Sequence, residues 1–571
     1  MNQTSIVQTI AVGGAAGDGI REAGLHLGVL LHKLGYQSFL SFDYPSLIRG
    51  GHNFSRLSFS KEKVWCDHTT LDVLIAVNAE SVRLHQKELT KDSVIFVEES
   101  HANDLKDIPG SIIPIPLAPI AGELKARPVA RTTVAIGAFC FIAGLSMERM
   151  MPLIKEVFED VGGDLNLALA EKGYHFAMEK ALPKWDGGQN EEPPKEGLEI
   201  IDANKAVGKG FLEAGMELYI SYPMTPATSI LHFLAKEAAV RENFKTIQPE
   251  DEISAANMAI GSAYAGKRTA TGTATGGFAL MQEAFSFAGV SEIPFVVAVS
   301  QRQGPATGVP TNTSQSDLLF ILHSGHGEFP RIVIAPGDSE EAYYEGARAL
   351  ELSWKYQMPA IVLLDKQISE STQTSLLDPQ KIIHSPTKLW VNNGEEYKRY
   401  QFTEDGISPM AFPGTPGASV KTTSYEHDEI GIGNDIPENV QAMHEKRFKK
   451  TKLLSEELGE YERVKIYGDK TSDAVIIFWG STKGAVLEAA KYINKPIKFI
   501  QVLWMDPFDS EKVESELQNA KLIIDVEANQ TGQLASLIRE KTGIQVDHKI
   551  LRHDSKPFDP LELAETINGI L

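Results

Sequence analysis

The stretch ELYISYPMTPATSILHFLAKEAAV, residues 217–240, sets a short apolar run directly before an amphipathic one. ELYISY (217–222) suits a buried strand. Beyond it, Thr225 is placed to cap a helix, with Pro226 at the first helical position, where a missing N–H costs nothing. Ile230, Phe233, Leu234 and Ala238 recur at the spacing of one buried helical face. A strand followed at once by a helix is the unit of a parallel sheet, and it sets the strand's C-terminal end beside the helix N-terminus. Open α/β sheets bind ligands at such ends, and a helix N-terminus favours an anion such as a carboxylate. On these residues alone, plain capping explains Thr225 as well as ligand binding does.

The same alternation runs outward in both directions. PFVVAVS (294–300), RIVIA (331–335) and PAIVLLD (359–365) extend it downstream and define an α/β domain over 198–380. Upstream, SIVQTIAV (5–12), DVLIAV (72–77), SVIFVE (93–98) and SIIPIPL (111–117) alternate with helical stretches such as IREAGLHLGVLLHKLG (20–35). They define another α/β domain over 1–182. PKWDGGQNEEPPKEG (183–197) lacks an apolar period and reads as the linker between the two. From 381 to 470 the pattern dissolves into polar residues, Gly and Pro, a long connecting segment of a kind that is usually functional or disordered. DAVIIFWG (473–480), IKFIQVL (497–503) and KLIIDVE (521–527) then restore the alternation for a last domain over 471–571. The expected fold is three α/β domains with mainly parallel sheets.

Charge and composition narrow the function. The 571 residues include 76 acidic and 55 basic ones, a net charge of −21, and that sign argues against nucleic-acid binding. Two cysteines, Cys66 and Cys140, are too few for a disulfide framework. They are also too few for an iron–sulfur cluster or structural zinc held by this chain alone, which take about four ligands. No apolar run approaches the ~18 residues of a membrane span. MNQTSIVQTIAVGG lacks the basic start of a signal peptide, so a cytoplasmic location is expected.

Four further stretches carry candidate chemistry. VGGAAGDGI (12–20) sits between a strand and a helix, but its glycines do not fit G-x-G-x-x-G. No paired Asn follows its GDG as thiamine-enzyme metal motifs require, so a tight turn without ligand is an equal reading. SFDYPSLIRGGHNFSRLSFS (41–60) is polar; Arg49, Gly50, Gly51, Asn53 and Arg56 suit a loop that lets backbone approach a phosphate or a partner chain. In TIQPEDEISAANMAIGSAYAG (246–266), Glu250, Asp251 and Glu252 begin a helix of small residues. Glu250 and Asp251 read as dipole-stabilised surface acids, and Glu252, nearest the small-residue face, as a buried functional carboxylate. VSQRQGPATGVPTNTSQSDL (299–318) puts Arg302 at a strand end, where its fork can clamp a substrate carboxylate.

Together, YPMTPAT (222–228), EDEISAANMAIGSAYAG (250–266), TATGGFALM (273–281), SQRQGPATGVPTNTSQSDL (300–318), GHGEFPRIVIAPG (325–337) and YEHDEIG (425–431) resemble the 2-oxoacid:ferredoxin oxidoreductase family. The resemblance is to its fused form, in which a gamma-type domain precedes the alpha-type subunit, and it covers nearly the whole chain. IRGGHNFSRLS (48–58) resembles the gamma domain's IRGG segment; GSTKGA (480–485) with DVEANQTGQLA (525–535) resembles the family's transketolase-C-like domain. The opening GGAAGDG departs from the GGQG-type turn of gamma domains.

The resemblance implies that the middle domain is the pyrimidine-type domain of a thiamine diphosphate enzyme. A separate beta subunit would bring the diphosphate, Mg²⁺ and the iron–sulfur cluster, and no metal is expected on this chain. Glu252 would hydrogen-bond the aminopyrimidine ring and so promote loss of the thiazolium C2 proton. Arg302 would pair with the 2-oxoacid carboxylate, Thr225 would hydrogen-bond near the reacting centre, and Thr311 would line the pocket. Pro223, Arg49, Gly50, Gly51 and Asn53 are further implied cofactor contacts. Asp428, in a loop joining two domains that flank the cleft, would tune recognition of the substrate's distal end. Electrons would leave to ferredoxin through the beta subunit, and coenzyme A would take the acyl group. The assembly would be a dimer of alpha–beta pairs. 2-Oxoglutarate is the first expected substrate, with pyruvate next. A single-chain thiamine enzyme and a non-catalytic coenzyme-A-binding scaffold are the rival readings.

Overall fold

The structure, a computed structural model, describes residues 7–45, 51–185 and 193–571. Its strands form three sheets. The middle one has seven strands in the order Trp504–Asp506, Ile332–Ile334, Pro359–Asp365, Phe295–Gln301, Thr269–Ala274, Leu218–Ile220 and Lys245–Ile247. All pairs are parallel except the one made by Trp504–Asp506. Every residue of Thr269–Ala274, Phe295–Gln301 and Pro359–Asp365 is buried, as expected for parallel strands covered by helices on both faces. On one face, helix Ala203–Glu213 lies against helix Ser339–Tyr356. Gly210 permits that approach, since a Cβ there would stand 2.1 Å from the Tyr343 carbonyl oxygen.

The sheets are stitched to one another. The first has eight strands, and two of them, Leu198–Asp202 and Thr372–Leu376, are the segments that enter and leave the middle domain. They extend its edge beside Gln37–Asp43. The middle sheet borrows Trp504–Asp506 from the C-terminal region, whose own five strands run in the order Val464–Gly468, Lys498–Val502, Ala474–Phe478, Leu522–Glu527 and His548–Leu551. A buried ion cluster joins all three regions. Lys483 Nζ lies 2.6 Å from Asp338 and 2.5 Å from Glu341, and Lys63 stands 3.9 Å from Asp338.

Three local expectations are revised. Thr225 caps no helix: the helix runs Thr228–Val240 with Ala227 at its N-cap and no side-chain cap, so Thr225 lies in the loop before it. His52–Ser60, read as part of a polar loop, is a strand paired antiparallel with both Gln8–Ala15 and Gln37–Asp43; its polar residues alternate with buried Leu57 and Phe59. The connecting segment is not irregular throughout. Pro437–Glu457 forms a 21-residue helix, which low apolarity hid because its buried positions include Lys446, Arg447 and Lys450. No helix among the described residues is long and apolar enough to cross a membrane.

Candidate active site

Three segments leave the C-terminal ends of the middle sheet and converge. They are the loop 221–227 after Leu218–Ile220, the start of helix Thr275–Leu280 directly after Thr269–Ala274, and the loop 302–317 after Phe295–Gln301. A Cβ on Gly276 would lie 4.0 Å from both the Ala306 carbonyl oxygen and Met224 Sδ, so all three segments meet there. Pro223 and Thr225 lie half-buried in the first loop.

Glu252 begins helix Glu252–Tyr264 behind these segments. The Asp251 carboxylate accepts the Ser254 N–H at 2.7 Å and caps the helix, which leaves Glu252 in the first turn, where the helix dipole favours negative charge. Glu252 is 3% exposed, and its Oε1 has no hydrogen-bond partner among the described residues. Gly277 makes its space: a Cβ there would stand 2.7 Å from Oε1 and 2.1 Å from the Thr273 hydroxyl, itself buried and unpartnered. Buried polar oxygens without donors are costly, so this pair marks a place built for a ligand's hydrogen-bonding edge.

Arg302 Nη1 donates to the Thr225 carbonyl oxygen at 2.7 Å. That bond uses one of five guanidinium N–H donors and aims the rest of the fork. Burial lowers the Arg302 pKa from its ordinary value, and the Glu252 carboxylate partly offsets this, so the two side chains sense each other. The Arg302–Thr225 bond and the adjacent Gly276 and Gly277, one beside Ala306 and Met224 and the other beside Glu252, bring these three residues into one site. The chain after Arg302 forms a small hairpin in which Gln303 bridges Val309. Gly308 at φ +53° turns its tip, where a Cβ would stand 1.9 Å from the Gln303 carbonyl oxygen.

Thr311, on the returning arm, faces a second space. A cavity of about 390 Å³ opens where the three sheets' domains meet, lined by Thr311, Lys366, Phe54, Arg56, Lys556 and Phe558 among others. His52 also lines it, and its Nε2 stands 2.9 Å from His85 Nε2, whose Nδ1 is 2.6 Å from Glu88. Burial and the neighbouring His85 push His52 down to about 4, so it is neutral near pH 7. Sequence reasoning missed this row. His52 stands beside the quoted glycines, but nothing in the sequence links it to His85.

The remaining candidates separate. Arg49 and Gly50 lie outside the described residues. Gly51 is exposed at φ +74°, and Asn53 sits in the His52–Ser60 strand with a buried, unpartnered Oδ1. In the first glycine-rich turn, Asp18 accepts the Ala15 N–H at 2.9 Å and pairs with Arg131 at 2.6 Å, so the chain's own carboxylate closes it. Asp428 is not brought to Glu252 in its own chain. Its Oδ1 accepts the Ile430 and Ile432 N–H groups at 3.0 Å and closes a turn. That turn is tied to Tyr400, whose hydroxyl donates to the Ser291 carbonyl oxygen. Ser291 precedes strand Phe295–Gln301 and Arg302 follows it, so the strand's length, on the order of 20 Å, separates the two ends.

Residues 209–448 match the family profile described as "Pyruvate flavodoxin/ferredoxin oxidoreductase, thiamine diP-bdg", and residues 9–176 match "Pyruvate ferredoxin/flavodoxin oxidoreductase". The 2-oxoacid:ferredoxin oxidoreductase subunit alpha of Saccharolobus solfataricus is 33% identical over 98% of this chain and 97% of its own length. The chain belongs to the 2-oxoacid:ferredoxin oxidoreductase family, as an alpha subunit. A solved relative in this family is 2-oxoglutarate:ferredoxin oxidoreductase from Magnetococcus marinus, described with 2-oxoglutarate, coenzyme A and succinyl-CoA bound. It superposes with a TM-score of 0.90 at 32% identity, over 99% of both chains. The 2-oxoglutarate oxidoreductase subunit KorA of Mycobacterium tuberculosis is 27% identical over 75% of this chain and 66% of its own length. As an alpha subunit, this 2-oxoacid:ferredoxin oxidoreductase chain works with other subunits.

Proposed function

We propose that this alpha subunit, with its gamma-type domain in the same chain, carries out coenzyme-A-dependent oxidative decarboxylation of 2-oxoglutarate to succinyl-CoA. Electrons pass to ferredoxin through a beta subunit that holds the diphosphate, Mg²⁺ and the iron–sulfur cluster. The observation that carries this reading is Glu252: buried, in the first turn of a helix, with one carboxylate oxygen unpartnered and Gly277 keeping the space open. Those residues fit the aminopyrimidine edge of thiamine diphosphate, and 198–380 is taken as its pyrimidine-side domain. When bound, thiamine diphosphate supplies the electron sink for decarboxylation. Glu252 accepts a hydrogen bond from the pyrimidine ring and fixes its protonation state. Arg302 binds the 2-oxoacid carboxylate, held in aim by the Thr225 carbonyl.

The half-site has an apolar rim suited to a partner chain. Ile253 and Met258 on the Glu252 helix, with Leu280, Val309 and Phe320 beside it, are all more than a third exposed. This is where the beta subunit docks in our reading, within a dimer of alpha–beta pairs. Coenzyme A takes the cavity beside Thr311, whose Lys366 and Lys556 suit phosphates and whose Phe54 and Phe558 suit an adenine ring. A reducing, cytoplasmic setting accords with buried free thiols at Cys66 and Cys140.

Coenzyme-A-dependent viologen reduction by the complex co-purified with its beta subunit, measured across a panel of 2-oxoacids, tests this reading. Preference for 2-oxoglutarate supports it, and preference for pyruvate turns the substrate assignment. A pyruvate or broad-specificity enzyme is the second reading, because two relatives that each match 98% of this chain, from Saccharolobus solfataricus and a Sulfolobus species, are named for 2-oxoacids in general. A Glu252→Ala complex with undiminished turnover would return the chain to a coenzyme-A-binding scaffold.

A further inference from the structure

The hairpin that begins with Arg302 is anchored at its base by the C-terminal domain, through Gln315 and through the neighbouring Ser316 carbonyl, which accepts from Gln533 Nε2 at 2.6 Å. Gln315 is fully buried, and every polar group it owns is bonded to the C-terminal domain. Its N–H donates to the Ala528 carbonyl at 2.8 Å, and its side-chain Oε1 accepts the Ala528 N–H at 2.9 Å. Its Nε2 donates to the Trp479 carbonyl at 2.8 Å, and its own carbonyl accepts from Asn529 Nδ2 at 3.1 Å. A glutamine that exchanges bonds with Ala528 through its backbone N–H and side-chain Oε1, while its Nε2 donates to Trp479, is fixed in both orientation and distance.

What Gln315 grips is rigid. Trp479 is fully buried, and its indole N–H donates to Glu527 at 2.9 Å. Glu527, also fully buried, further accepts from Asn529 Nδ2 at 2.8 Å and from the Leu534 N–H at 2.8 Å. Gly480, at φ +53°, clears the approach, since a Cβ there would stand 2.7 Å from Gln315 Nε2. On the other side, the hairpin is closed onto its own sheet. The Asp317 N–H donates to Gln301 Oε1 at 3.1 Å, and the Thr313 hydroxyl to Asp365 at 3.3 Å. The arms between these anchors hold themselves together, with Gln303 N–H donating to the Asn312 carbonyl at 3.2 Å and Val309 N–H to the Gln303 carbonyl at 2.9 Å. A displacement of the base at 315 is therefore passed along a braced hairpin to Arg302 and Thr311.

We propose that Gln315 is a positioning residue through which the C-terminal domain sets the Arg302 hairpin for the 2-oxoacid. It acts through the hairpin and touches no substrate. The inference rests on the reading of Arg302 given above. Geometry of this kind weighs heavily in rate, because a shift of about 1 Å in a substrate-positioning group costs up to about a hundredfold.

The test is a double-mutant cycle in the complex assembled with its beta subunit. Gln315→Met keeps the side chain's length and removes both side-chain hydrogen bonds. We expect it to lower kcat/KM for the 2-oxoacid about tenfold, mainly through KM, and to change the same quantity less than about twofold when Arg302 is already Lys. Asn529→Ala, which leaves Gln315 in place and removes the bond to its carbonyl, is expected to act in the same direction. It replaces Gln315→Met in the cycle if that variant does not assemble. Independent multiplication of the two effects, or an unchanged kcat/KM in the assembled variant while Arg302→Lys is impaired, overturns the inference and leaves the Arg302 reading standing. An Arg302→Lys enzyme with wild-type KM overturns both.

Discussion

Arg302 and Thr225 come from different strands of the middle sheet and meet through a single hydrogen bond, guanidinium to carbonyl, at 2.7 Å. The bond ties the hairpin after one strand to the loop after another. Lysine has neither the fork nor the reach to keep both the carbonyl and a substrate carboxylate. Arg302→Lys is therefore expected to raise KM for the 2-oxoacid about tenfold or more while leaving KM for coenzyme A within about twofold. Steady-state kinetics with each substrate varied decides it, and equal damage to both would move Arg302 out of the 2-oxoacid pocket.

Glu252 and Gly277 make a second prediction as a pair. Glu252→Ala is expected to lower turnover of the assembled complex by about 10²–10⁴-fold. Gly277→Ala is expected to act in the same direction, since its methyl would stand 2.7 Å from Glu252 Oε1. Activity measured beside size-exclusion profiles checks both, and retained turnover in either assembled variant speaks against the assignment.

A site completed by a partner predicts weak binding by the lone chain. Calorimetry of the isolated alpha subunit with thiamine diphosphate and Mg²⁺ should give little or no heat, and the complex should give a saturable isotherm. Tight binding by the lone chain would favour a single-chain enzyme.

The Lys483 cluster sets an acid limit on stability. Burial pushes the Asp338 carboxyl upward, but Lys483 and Lys63 outweigh it and hold the group well below its ordinary 3.8. A depressed folded-state value gives stability that is present above the unfolded value and is lost as pH falls through about 4 toward the folded one. Urea midpoints should thus decline below about pH 4 in the wild type, and Lys483→Met should weaken this decline. At neutral pH that substitution removes the central cation but leaves Asp338 with Lys63 at 3.9 Å and Glu341 with Lys465 at 2.9 Å, so its cost should fall below the ~3–5 kcal/mol of a fully stranded buried charge.

Asp428 holds its turn through the Ile430 and Ile432 N–H groups. Asp428→Ala should loosen that turn, seen as faster proteolysis near 425–433, and leave the ratio of 2-oxoglutarate to pyruvate activity unchanged. A changed ratio in the assembled enzyme would mean that the turn reaches a site other than its own chain's.

What could be read from the chain alone was local and periodic. Alternating apolar runs announced the three α/β units, because strand and helix burial repeat in the sequence itself. Glu252 stood out because a carboxylate opening a helix of Ala and Gly has a small-residue face to be buried against, and Arg302 because it lies at a strand's end among hydroxyls and glycines. Thr225's place at a strand end was visible, but its role was not. The sequence left a cap and a ligand contact both open, while the folded loop uses its carbonyl to hold Arg302. The strand His52–Ser60 was hidden by its polar residues, and helix Pro437–Glu457 by buried lysines and an arginine, which become tolerable inside only next to the acids that neutralise them. Glu292, which faces Lys446 and Lys450, lies about 150 residues away along the chain. The sequence by itself determined the element types and which side chains were fit for chemistry. Tertiary structure alone decided that Gln315 reaches Trp479 and Ala528, that His52 meets His85, and that the Asp428 turn lies at the opposite end of strand Phe295–Gln301 from Arg302. These relations are contacts between elements far apart in sequence, and no periodicity records them.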